Sequence, residues 1–356
     1  MRPVVVAAAA PVSDEPIELE TPVCDLCGNA EQRFLFKARD RRYKFPGEFG
    51  YVECTRCALR YVSPRPVASI IDRWYPTRGY EAYRTKQSFW QKTADWLEDK
   101  IWNAYLRVFL TGSYPIFYYP KHEKQLARAP GVAPRVLDVG CGSGDKLRYI
   151  RAHSGWQTYG VDFSEQAVEN ANMRGAGDVR HTRGDRLPFD DGYFDAVMSW
   201  HSLEHHYSPK ATMREVNRVL RPGGYGIFAV PSAENLGIRA FKKYWGPLEI
   251  PRHLYYFSHA NMRTLVEGAG FEVAKIYDDI SFYGLFLAQE IFDSCQYALE
   301  DKLGTVASWP FRLPFKILNA GGLISSAATM PLVALNPLLG RAWRGSNMIV
   351  HFRKPA

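Results

Sequence analysis

A short apolar strand that runs straight into a loop with glycine at every second position constrains this chain more than any other feature: Val136-Leu137-Asp138-Val139-Gly140-Cys141-Gly142-Ser143-Gly144. Glycine tolerates positive φ and leaves room for a ligand to lie against bare backbone. The residues that follow, Lys146-Leu147-Arg148-Tyr149-Ile150, predict a helix. Strand, glycine turn and helix in that order are how doubly wound sheets open a nucleotide crevice. The dinucleotide fingerprint G-x-G-x-x-G would place glycine at 145, where this chain has Asp145. The spacing is instead G-x-G-x-G, with an acid, Asp138, two residues upstream of the first glycine.

Downstream residues continue the pattern. A second strand, Trp156 to Val161, ends on Asp162, about 20 residues beyond the glycines, where a ribose-binding acid belongs. Phe163 follows it. Then come Arg183-Gly184-Asp185-Arg186-Leu187-Pro188-Phe189, a strand from Phe194 to Trp200 opening onto His201, and a turn, Leu220-Arg221-Pro222-Gly223-Gly224, into a fifth strand, Tyr225 to Val230. In this order the features resemble the class I S-adenosylmethionine-dependent methyltransferases. The resemblance implies an α/β fold: a seven-stranded doubly wound (Rossmann-like) sheet whose sixth strand, Phe271 to Ile276, and last, Asn347 to Arg353, pair antiparallel. It also implies the cofactor contacts. Asp138, Gly140, Gly142 and Gly144 belong to the loop that holds S-adenosylmethionine, and Asp162 accepts both ribose hydroxyls while Phe163 lies against adenine. Asp185 takes the adenine amino group, the backbone N–H of Arg186 faces the ring, and Trp200 and His201 line the methionine end.

Four of the six cysteines form a second pattern, Cys24-x2-Cys27 and Cys54-x2-Cys57, with 26 residues between the pairs. Two such knuckles suit tetrahedral thiolate coordination of structural Zn2+, which leaves no open position for chemistry. Rubredoxin-like iron or a pair of disulfides are the alternatives. Gly28 eases the first knuckle turn, and Ala58 occupies the equivalent place in the second. A four-cysteine site argues for a reducing, cytoplasmic compartment. Cys54-Thr-Arg-Cys57-Ala-Leu-Arg-Tyr61-Val-Ser-Pro64-Arg-Pro66 resembles the amino-terminal module of bacterial methyltransferases that modify sugars or act in polysaccharide and glycolipid pathways.

Methyl transfer needs an aligned acceptor and the removal of one proton. Two clusters offer the base. His201-Ser202-Leu203-Glu204-His205-His206 follows the fourth strand at the carboxyl edge of the sheet, where ligands bind. Its letters also spell the inverted zinc-protease motif H-x-x-E-H, but the surrounding framework accounts for its position. The second cluster is Pro251-Arg252-His253-Leu254-Tyr255-Tyr256-Phe257-Ser258. It resembles the sugar C-methyltransferase motif Glu-His-x-x-Tyr-Phe, matching at His253, Tyr256 and Phe257, with Arg252 in the glutamate's place. The resemblance makes His253 the base, with His205 next. Arg252 would suit an acidic or phosphorylated acceptor through bidentate hydrogen bonds.

The remaining chain divides by composition. Residues 1–20 read as a disordered tail, 21–64 as the zinc module, 65–130 as an aromatic-rich helical cap, 131–280 as the cofactor-binding core, 281–346 as an apolar helical insertion, and 347–356 as the last strand. The cap (Trp74, Tyr75, Tyr80, Tyr83 and others) packs on the core or closes over the acceptor as a lid. Ile317 to Gly340 holds 24 residues without a charge, but its glycines, prolines and polar residues make it a poor membrane span. It reads as a helical pair packed on the core, as a homodimer face, or as an element dipping into an anionic membrane surface on the inner face of the membrane. The formal net charge of +8 is moderately basic. It leaves an RNA methyltransferase as the alternative, with Arg33, Lys37, Arg39, Arg41, Arg42 and Lys44 gripping phosphates. The leading expectation is methyl transfer to a small-molecule, sugar or lipid-linked glycan acceptor, with no nucleic-acid partner.

Overall fold

The computed structural model describes residues 16–76, 132–279, 291, 293–302 and 347–356. The expectations for residues 1–15, for the aromatic cap beyond residue 76 and for the uncharged stretch 317–340 fall outside them. No helix among the described residues is long and apolar enough to cross a membrane.

The amino-terminal module is all β. Strands β1 (Leu19–Glu20) and β5 (Arg65–Pro66) form a small antiparallel pair. Strands β2 (Gln32–Ala38), β3 (Phe49–Cys54) and β4 (Arg60–Val62) form an antiparallel sheet. The two cysteine pairs sit on turns at one end of it, where Gly28 N–H donates to Cys24 O and Ala58 N–H to Cys54 O, at 2.8 and 3.0 Å. Both turns need positive φ, 73° at Gly28 and 55° at Ala58. An alanine accepts that conformation at a cost that glycine avoids.

The core follows with β6 (Arg135–Val139), α1 (Asp145–Ser154), β7 (Gln157–Asp162), α2 (Glu165–Met173), β8 (Asp178–His181), β9 (Phe194–Trp200), α3 (Pro209–Val219), β10 (Leu220–Pro231), α4 (Leu236–Phe241), β11 (Tyr255–Tyr256), α5 (His259–Gly268), β12 (Glu272–Asp279) and β13 (Asn347–Arg353). Seven of these strands form one sheet in the order β12-β13-β10-β9-β6-β7-β8. Strands β6 to β10 run parallel, and β13 pairs antiparallel with both β10 and β12, as expected. The central strands are buried on both faces, which is why they read as continuous apolar runs.

Neighbouring residues on each strand serve opposite faces. Leu137, Val197, Phe228 and Val350 pack with α3 and α5 through Met213, Val216, Met262 and Leu265. Val136, Ala196, Ile227 and Ile349 pack with α1 and α2 through Leu147, Ile150, Val168 and Ala171. The amphipathic α3 is started by Ser208, whose side chain accepts from Ala211 N–H, and Pro209 fills its first turn. Asp25 of the module accepts from Ser208 Oγ and Lys210 N–H, so the module helps to begin a core helix. α5 opens on a reciprocal cap between Ser258 and Asn261, and Asn261 Nδ2 reaches back to Cys57 O at 2.8 Å.

Strand β11 lies in the core segment of the sequence but pairs with β4, completing a four-stranded sheet β11-β4-β3-β2. Val62 N–H donates to Leu254 O beside it. The cysteine module and the loop that carries His253 are therefore one sheet, a junction that local periodicity cannot reveal.

Candidate functional site

The sheet order reverses at β6, with β7 on one side and β9 on the other, and the glycine loop leaves β6 at that switch point. Ligands of open α/β sheets bind there. Gly140 (φ 79°) and Gly144 (φ 74°) both require the left-handed region. A Cβ on Gly140 would stand 1.9 Å from Ser202 Oγ, and one on Gly144 2.4 Å from Ala176 Cβ. Glycine is thus demanded twice over, by φ and by space.

Asp162 closes the loop from β7. Its Oδ2 accepts from Gly142 N–H at 2.8 Å and its Oδ1 from Ser164 N–H at 3.0 Å. Each oxygen keeps a further lone pair for a ligand hydroxyl. Asp138 is fully buried behind the loop, and its Oδ1 has no hydrogen-bond partner. Burial pushes its carboxyl up to about 7, against the pull of Lys146. An orphaned buried oxygen beside a two-lone-pair acid at a glycine loop fits a nucleoside with an amino-acid tail.

A cavity of about 920 Å3 runs along the carboxyl edge of the sheet. That lies near the top of the range of about 300–1,000 Å3 for ligand clefts. Over β6 and β7 its wall includes Gly140, Gly142, Asp162, Phe163 and Asp185. In the middle stand Trp200, His201, His205 and His253. Over β10 and β13 come Ser232, Asn347, Trp245, Glu249, Tyr256 and, from the module, Arg42 and Tyr43. Residues expected from distant stretches of sequence thus meet in one space.

The histidines are held by identifiable partners. His201 sits at φ 50°, a conformation rare for a non-glycine residue and common at functional sites. Its Nδ1 is 3.2 Å from Glu204 Oε1. His205 Nδ1 is 2.9 Å from Arg252 O and 3.1 Å from the Tyr75 hydroxyl, so the cap residue Tyr75 reaches the site. His205 and His253 rings meet edge to face at 4.8 Å. Glu204 is fully buried. Burial alone would raise its carboxyl, but the His201 hydrogen bond and the His201, His205 and His253 charges outweigh that and hold it at about 2. Burial, followed by the His205 charge, lowers His253 to about 4, so its imidazole is neutral at neutral pH.

Three expectations need correction. Arg252 does not face an acceptor: its guanidinium is fully buried and donates to both oxygens of Asp40 at 3.0 Å and to Trp74 O. The Tyr256 hydroxyl is committed to Leu248 O and lies 3.3 Å from His253 O, so only its ring serves the wall. Arg186 N–H is spent on Arg183 O at 3.2 Å, inside a tight turn, and is not offered to a ligand. His206, the last of the cluster, is structural. It bonds Ser202 Oγ and Thr212 Oγ1, and burial lowers it to about 4.

Four of the six residues of the expected basic grip are held in ion pairs: Arg33 with Glu53, Arg39 and Arg41 with Asp301, and Arg42 with Glu249. Asp40, the residue that organises the 40–45 loop, escaped notice in the sequence. It accepts from the backbone N–H groups of Arg42, Tyr43 and Phe45 as well as from Arg252. An aspartate in a run of arginines reads as solvated charge, and only the fold buries it.

The four knuckle thiols converge. Cys24 Sγ is 3.5 Å from Cys57 Sγ and Cys27 Sγ 3.5 Å from Cys54 Sγ, and all four lie within 4.8 Å of one another. Zn–S bonds of about 2.3 Å at tetrahedral angles put sulfurs roughly 3.8 Å apart. The donor set therefore fits a closed zinc site, and Asn29 Nδ2, 3.7 Å from Cys54 Sγ, is a second layer of support.

The fold and the site define a doubly wound sheet with a ligand cavity at its switch point and a cysteine module attached. Residues 114–276 match the family described as a methyltransferase domain. Sterol 24-C-methyltransferase ERG6B of Gibberella zeae is 36% identical over 118 residues, 30% of this chain and 31% of that enzyme. A protein of Mycolicibacterium smegmatis named "Probable S-adenosylmethionine-dependent methyltransferase" is 32% identical over 176 residues, 49% of this chain and 65% of that protein. The chain thus spans less than two thirds of either relative. Among solved structures, an S-adenosylmethionine dependent methyltransferase from Mesorhizobium loti aligns at 16% identity and TM-score 0.41 over 66% of this chain and 97% of that one. Residues 114–276 thus carry the match to a methyltransferase domain.

Proposed function

We propose that the whole protein transfers a methyl group from S-adenosylmethionine to a small acceptor, a sugar or a lipid-linked glycan, with a histidine as base. The observation that carries this reading is the continuous cavity from Asp162 to Asn347 with the histidine cluster at its middle. Bound over β6 and β7, the cofactor supplies a methyl group already activated on a sulfonium. Asp162 would hold the ribose, Asp185 and Phe163 the adenine, and Trp200 and His201 the methionine end. The acceptor would lie over β10 and β13, against Tyr43, Trp245 and Tyr256, whose aromatic faces suit a sugar ring.

The cofactor, when bound, would supply the methyl group, and the acceptor atom that takes it would have one proton to lose. The acceptor's proton passes to neutral His253, with His205 beside it. The sterol acceptor named for the Gibberella relative supports a small molecule, here one with an apolar portion. A lipid-linked acceptor presented at an anionic inner membrane face by residues 281–346 is the matching location, and that part rests on sequence alone. We also infer structural zinc at Cys24, Cys27, Cys54 and Cys57.

Incubation of the full chain with methyl-tritiated cofactor and host fractions tests the reading. Label in the lipid or polysaccharide-precursor fraction supports it. Label confined to protein or nucleic acid overturns it.

A further inference from the structure

We propose that Lys146 is a further cofactor-binding residue: its ammonium pairs with the α-carboxylate at the methionine end of S-adenosylmethionine. This rests on the reading that sets that end of the cofactor against Trp200, and it names the charged group that recognises the amino-acid tail.

Position comes first. Lys146 is the second residue of α1, the helix that the glycine loop opens. A first-turn side chain leans back toward the helix N-terminus, here toward that loop. The Lys146 ammonium lies over the Trp200 ring, 5.8 Å from its centroid, at the carboxyl end of β9. Both residues line the cavity. A tail lying between the glycine loop and the end of β9 therefore passes this ammonium.

Charge singles the same residue out. Among the described residues, the lysines and arginines on the cavity wall are Arg42, Lys146 and Arg183. Arg42 stands at the acceptor end and is paired with Glu249 at 2.6 Å. Arg183 stands beside Asp185 at the adenine end and donates to Ala68 O at 3.5 Å. Lys146 forms no ion pair among the described residues, and an aromatic face by itself holds an exposed ammonium only weakly. Its neighbour Asp145 is committed elsewhere, to Arg174 at 2.5 Å, Arg148 at 3.4 Å and the Ser143 hydroxyl at 3.0 Å, so its charge is offset. The N-terminal end of α1 adds a partial positive charge at the same place. Asp138 supplies the opposite sign: it is buried behind the loop, its Oδ1 has no partner, and the Lys146 charge pulls on its carboxyl. A cation on the wall with an acid behind the loop matches the two opposite charges of an amino-acid tail, and an ammonium–carboxylate pair is among the stronger hydrogen bonds.

Calorimetry on the full, zinc-loaded chain tests this without any acceptor. The probes are S-adenosylhomocysteine and its decarboxylated analogue, which keeps the amine and lacks the carboxylate. Lys146→Gln should weaken binding of S-adenosylhomocysteine by roughly 10–100-fold, the range for one hydrogen bond to a charged group. The same variant should bind the decarboxylated analogue as well as wild type or slightly better, because a like charge facing its ammonium is gone. Equal losses for both probes would make Lys146 a structural residue and overturn the proposal. Undiminished affinity of Lys146→Gln for S-adenosylhomocysteine overturns it too. Wild-type protein that binds the two probes equally well overturns it whether or not the variant folds. Failure of the cofactor reading would show separately, as wild-type protein that binds neither probe.

Discussion

Asp40 and Arg252 form a fully buried, two-point ion pair that joins the cysteine module to the loop carrying the adjacent His253. The same carboxylate gathers the backbone N–H groups of Arg42, Tyr43 and Phe45, and the Arg252 guanidinium lies over the Tyr43 ring at 4.7 Å. One aspartate thereby shapes the module loop that enters the cavity and fixes the arginine beside the base. Breaking a buried pair by removing one partner costs about 3–5 kcal/mol, because the other charge is left uncompensated. Asp40→Ala should lower stability by that order in urea unfolding. Arg252→Met in the same chain should recover part of the loss, and a loss below about 1 kcal/mol for Asp40→Ala would show that the pair is unimportant.

Asp162→Ala should weaken cofactor binding by ~2–3 kcal/mol, since hydrogen bonds to charged groups are the strong ones. It also frees Gly142 N–H, so the loop loses an internal tie along with its ligand contact. Calorimetry with S-adenosylhomocysteine reads the change directly. Unaltered affinity in a folded variant would remove Asp162 from the site.

His253→Ala should reduce turnover by ~10²–10⁴-fold while cofactor affinity stays within twofold, because a general base acts on the acceptor. Full activity would move the task to His205 or to alignment alone.

One tightly held zinc per chain is expected by elemental analysis. Cys27→Ser or chelation should release it and melt the module, since binding and folding are coupled in small thiolate sites. The loss should reach the core, because β11 pairs with β4 and Asn261 bonds Cys57 O. Acceptor turnover should fall with the metal. Metal-free protein with reduced thiols and an unchanged unfolding curve would contradict this.

Acid should destabilise the fold above the usual carboxylate range. Buried His206 is lowered to about 4 in the folded state, so the unfolded chain, with histidine near 6.5, binds the proton more readily. Stability from this group is complete above pH 6.5 and declines as pH falls toward about 4. The depression of about 2.5 units corresponds to roughly 3 kcal/mol at most. Urea midpoints at pH 7, 5.5 and 4.5 measure it, and His206→Gln should remove its share of that dependence, leaving the share of buried His253, which is also lowered to about 4.

The core of this chain was legible because its determinants are local. A parallel strand buried on both faces is a run such as Phe194 to Trp200, and a left-handed loop packed against Ser202 and Ala176 needs glycine at 140 and 144. Those residues and the paired cysteines act through local geometry, so the fold class and a metal-type ligand set were legible from spacing, while the expected cofactor came from the family resemblance they carry. The acceptor side did not. Whether Arg252 meets a ligand or a buried Asp40 depends on two segments 212 positions apart, and whether Arg42 reaches phosphate or Glu249 depends on two that are 207 apart. Charge on a sequence does not say which charges will face each other once water is removed. Only the tertiary structure, by pairing β11 with β4 and burying Glu204 among three histidines, decided which side chains were spent on holding the site and which remained open to a ligand.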